Sequence, residues 1–97
     1  MNNEESIRRA ERAKQLLADP LIHEAFETID RDIIDQWGAC PVRDVEGREM
    51  LWRLHMTSLK FKAIFEGFIQ NGKVAELREK QSATDKMVKL FRGASNG

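Results

Sequence analysis

Ile22, Phe26, Ile29, Ile33 and Trp37 follow one another at intervals of four, three, four and four residues. That spacing lines one face of a helix and cannot serve a strand, whose side chains change face at every residue. Gly and Pro together number eight among 97 residues, too few for an all-β chain built on tight turns. The composition, one third charged and 41% hydrophobic, is that of one ordinary globular domain spanning 1–97. The expected fold is all-α.

Four helical segments are predicted. The first runs from Asn3 to Ala18, capped by Asn2 or Asn3, with Glu4 and Glu5 at the positive end of its dipole. Its apolar stripe of Ile7, Ala10, Ala13 or Lys14, then Leu16 and Leu17, is thin. Asp19-Pro20 then marks a boundary: Asp19 suits an N-cap and Pro20 the first helical position. The second helix runs to Trp37 and stops at Gly38. After a connection holding Cys40 and Pro41, Asp44 caps a third helix from about 45 to 70. It carries two apolar stripes, Leu51, Leu54, Phe61, Phe65 and Phe68 on one side and Trp52, Met56, Leu59 and Ala63 on another. A helix apolar on two sides must be covered on two sides. Asn71-Gly72 reads as a stop, and a fourth helix is expected over 73–91, with an all-polar middle at 78–86 apart from Ala83, then a frayed tail at 93–97. The predicted architecture is an antiparallel helical hairpin at 20–71 with flanking helices 3–18 and 73–91, completed as an oligomeric helical bundle.

Charge is unevenly placed on a chain of zero formal net charge. Residues 1–48 carry a net −4 and residues 49–97 a net +4. The second helix holds Glu24, Glu27, Asp30, Asp32 and Asp35 against Arg31. A solvated face paired with Arg53, Lys60 and Lys62 across the hairpin explains this better than a docking face for a basic partner. Lys86, Lys89 and Arg92 lie three apart near the end of the chain and are the candidate nucleic-acid contacts. A nucleic-acid protein usually has a clear basic excess, which this chain lacks, so nucleic acid is not the favoured partner.

No arrangement of residues calls for catalysis, a metal or a cofactor. His23 and Glu27 share a helix face, but two ligands do not make a metal site. His55 sits in the apolar part of the third helix and is expected to be a partly buried, hydrogen-bonded histidine. A Cys40–His55 nucleophile pair has no third orienting group and no glycine-rich oxyanion loop. No phosphate-binding glycine pattern occurs. Gly67 falls inside a helix, where it reads as tolerated rather than as a close helix contact. No apolar run exceeds three residues, so no membrane span is expected. The polar, acidic N-terminus and single cysteine point to the cytoplasm.

Two tryptophans and five phenylalanines are many for so small a bundle to bury. Trp52, Met56, Leu59 and Ala63 are therefore the candidate partner interface, with Trp52 as its anchor. The stretch Ala13-Lys14-Gln15-Leu16-Leu17-Ala18-Asp19-Pro20, followed by Glu24-Ala25-Phe26, and the entry Gly47-Arg48-Glu49-Met50-Leu51-Trp52 into a helix ending at Asn71-Gly72-Lys73, resemble small helical proteins of tailed bacteriophages and prophages. The resemblance covers about residues 10–75 and carries no functional residue. It implies a host bacterial cytoplasm or a virion, and roles in assembly, packaging or the binding of a host protein. The expected function is non-enzymatic protein–protein interaction by a homo-oligomer. The alternative is a nucleic-acid-associated packaging or regulatory protein that uses the basic C-terminal segment.

Overall fold

The computed structural model describes residues 2–95 and consists of three helices: α1 (Asn3–Ala18), α2 (Pro20–Ala39) and α3 (Val45–Ser95). The fold is all-α, and no strand occurs among the described residues. Each helix starts on a side-chain cap. Asn2 Oδ1 accepts the Glu5 N–H at 2.8 Å, Asp19 Oδ1 accepts the Leu21 N–H at 2.8 Å, and Asp44 Oδ1 accepts the Gly47 N–H at 3.0 Å. These bonds satisfy donors that have no partner inside the helix. Asp19, in extended geometry, is the single residue between α1 and α2.

α3 runs through every stop that the sequence placed after residue 70. Asn71-Gly72 does not end it, the predicted helix 73–91 is its second half, and the polar 78–86 segment is continuous helix. Gly93 to Ser95, expected to fray, are helical; Asn96 and Gly97 lie outside the described residues. Two physical reasons account for this. The polar segment is built of strong helix formers such as Arg78, Glu79, Lys80 and Gln81. And Gly72 is there for packing rather than for left-handed geometry: no glycine among the described residues has positive φ, while a Cβ at Gly72 would collide with the methyl of Ala10. At 51 residues, α3 is about 77 Å long and sets the long dimension of an 81 × 27 × 17 Å molecule.

The closest packing is of α1 on α3, whereas the sequence placed the centre of the fold between α2 and α3. Ala10, Ala13, Gly72 and Ala75 are all buried, and these small residues let the two backbones approach. Arg9 lays its guanidinium over the Phe68 ring, 5.1 Å from the centroid. α2 lies against the first half of α3 more loosely and buries no residue fully. Near the connection, Arg48 stacks on Trp37 at 4.6 Å. Further along, Lys62 sits 3.9 Å from Asp30 and 4.7 Å from the Phe26 ring. Phe26 meets Phe61 at 5.7 Å and begins a run of ring contacts through Phe65 to Phe68.

The resulting core is thin. Leu51 is the largest apolar side chain below one tenth exposure, and the other buried residues among those described are small: Ala10, Ala13, Ser58, Gly72 and Ala75. A compact monomer of this mass would expose about 5,700 Å²; this chain exposes 8076 Å². Its radius of gyration is 22.6 Å, against about 12.5 Å for a compact domain of this length.

Candidate interaction surfaces

At about 100° per residue, Leu54, Ser58, Phe61, Phe65, Phe68, Gly72 and Ala75 fall on one flank of α3. α1 covers this flank around Phe68, Gly72 and Ala75. Over residues 54–61 the flank is open. There it joins Ile22, Phe26, Ile29 and Ile33 of α2 to line a groove of about 530 Å³. Asp32 and Gln36 are among its few polar members. Ser58 is 8% exposed, and its hydroxyl is buried without a hydrogen-bond partner. Sequence reasoning missed this groove. Its signal is the pair of apolar faces on α2 and α3, but spacing along each helix does not show how far apart the two faces sit.

The predicted interface residues lie nearly opposite, on the outer side of α3. Trp52 is 56% exposed, Met56 42% and Leu59 44%; Ala63 is also exposed. Neither α1 nor α2 reaches this stripe. Val45, 69% exposed, lies on the same side two turns earlier, with Arg48 and Glu49 between it and Trp52.

Lys86, Lys89 and Arg92 are exposed near the end of α3. They share that segment with Met87, Leu90 and Phe91, which are 62%, 73% and 76% exposed. Among the described residues the acidic side chains of α2 find little compensation. Lys62 pairs with Asp30, but Arg53 pairs with Glu49 of its own helix at 3.0 Å.

The residues considered for chemistry are not brought together. Cys40 points to Asp44, with its sulfur 3.7 Å from the carboxylate and 3.9 Å from the backbone carbonyl. Burial and the negative Asp44 push the Cys40 thiol up from its ordinary value, which leaves little thiolate for attack at neutral pH. His55 is exposed, not partly buried as expected, because the side of α3 that carries it turns away from α1 and from the groove. His23 lines a second, smaller depression with Glu27, Asp30, Lys62 and Glu66. Among the described residues no three His, Cys, Asp or Glu side chains converge in a way that would hold a metal ion. No described helix is long and apolar enough to cross a membrane.

No protein-family description, no curated protein and no solved structure matches this chain.

Proposed function

We propose that this is a non-enzymatic interaction protein that presents the outer stripe of α3 to another protein and completes its thin core by self-association into a helical bundle. The observation that carries the reading is the exposure of Trp52, Met56 and Leu59 side by side on a stiff helix, on the side its own chain leaves bare. Tryptophan at the centre of an apolar patch is the residue type that most often anchors an interface. Large apolar side chains exposed together, rather than singly, mark an interaction site. The helical hairpin and the oligomeric state are part of this proposal. So is the setting implied by the resemblance to small phage proteins: assembly of a virion, or binding of a host protein, in the bacterial cytoplasm.

The test is affinity capture from phage-infected bacterial lysate, run in parallel with wild type and Trp52→Asp. Trp52 supports no other helix, so the variant keeps its helicity and its own solution mass. A protein held by wild type in stoichiometric amount and lost with Trp52→Asp supports the reading. Identical retained proteins would remove Trp52 as the anchor.

A further inference from the structure

From Glu76 to Gly93 every residue of α3 is exposed. Ala75 is the last buried one, so among the described residues the helix runs on as an arm that buries none of its side chains. This arm is amphipathic: Ala83, Met87, Leu90 and Phe91 are spaced four, three and one, which is one helix face. The arm is helical by propagation from the packed part of α3, and an apolar stripe left bare along it is a face that lacks its partner. The other incomplete element is the groove between α2 and α3, which holds the unpartnered Ser58 hydroxyl.

We propose that the arm of one chain occupies the groove of a second copy. Four observations select this occupant. The lengths agree: the 18 residues of the arm span about 27 Å, and the groove from Ile22 to Gln36 runs about 21 Å. The charges agree: α2 carries a net −4, whereas Lys80 to Arg92 carries a net +3, and Asp32 stands in the groove itself. The area agrees: the chain exposes 8076 Å², about 2,400 Å² beyond a compact monomer, and a standard interface takes only about 800 Å² from each partner. Finally, the arm cannot serve its own groove. Met87 lies about 45 Å further along the same helix than Thr57, so a second chain is required.

This inference rests on the reading of the chain as a self-associating interaction protein, but it uses none of the Trp52 stripe. The experiment is a complementation in solution, read by light scattering over a concentration series. The arm variant is Met87→Asp/Phe91→Asp, and the groove variant is Ile29→Lys. All three positions are exposed in the single chain, and Leu54→Lys replaces Ile29→Lys if circular dichroism shows lost helicity. Wild type is expected to gain mass with concentration, and to lose it as salt rises because opposite charges face each other. Each variant alone is expected to stay at one-chain mass. Their equimolar mixture is expected to form a two-chain species, since one intact arm and one intact groove remain. A mixture that stays at one-chain mass, an arm variant that associates as wild type does, or a wild type that never exceeds one chain overturns the proposal. Capture through Trp52 that persists in the arm and groove variants would leave the proposed function standing while this inference falls.

Discussion

Ala10 of α1 rests its methyl group against the bare backbone of Gly72 in α3. This contact explains why α1, with few large apolar residues of its own, stays on α3, and why a residue that usually ends helices lies in the middle of one.

Gly72→Ala should destabilise the chain despite its better helix propensity. The propensity gain is about 1 kcal/mol, but the new methyl must displace Ala10, and overpacking a close contact costs about 1–3 kcal/mol. Gly67 is the control. A Cβ there meets nothing within 4 Å, so Gly67→Ala should raise stability by about 0.5–1 kcal/mol. Urea unfolding of the two variants decides; shifts of the same sign would show that Gly72 is not a packing position.

Asp19→Ala should cost about 1 kcal/mol, because it removes the 2.8 Å bond that caps α2 at Leu21. Asp19→Asn keeps an accepting oxygen and should unfold close to wild type. If the asparagine variant loses as much as the alanine one, the cap is not what Asp19 contributes.

The single cysteine makes thiol reactivity a direct probe of the connection between α2 and α3. The Cys40 thiol is raised by burial first and by the Asp44 carboxylate next. Asp44→Asn removes the negative charge and retains a capping oxygen. The thiolate should then form at lower pH, and the alkylation rate plotted against pH should move to lower values. An unmoved profile would leave burial as the sole cause.

The arm should be the first part of the chain to yield to protease. Local opening is easiest where few apolar contacts must break, and from Glu76 to Gly93 no residue is buried. In dilute solution, trypsin should cut at Lys80, Lys86 and Lys89 before it cuts at Arg12 or Lys14, which sit beside the buried Ala10 and Ala13. Mass spectrometry of early digests gives the order, and early cuts in α1 would contradict it.

The sequence by itself determined the helical class and most helix starts. Interval spacing, Asn2, Asp19-Pro20 and Asp44 act through bonds within four residues, so they can be read without knowing what lies across the molecule. It also marked Trp52, Met56, Leu59 and Ala63 as an apolar stripe, because helical periodicity is a local property. Only the tertiary structure decided that Gly72 belongs inside α3, since a glycine at a helix stop and a glycine under a neighbour's methyl look alike in one dimension. It also decided that α1 takes the tight seat on α3 while α2 leaves a groove. Local spacing shows which face of a helix is apolar, but how much of that face is covered depends on the distance between helices, and that distance is set by side chains far apart in the chain.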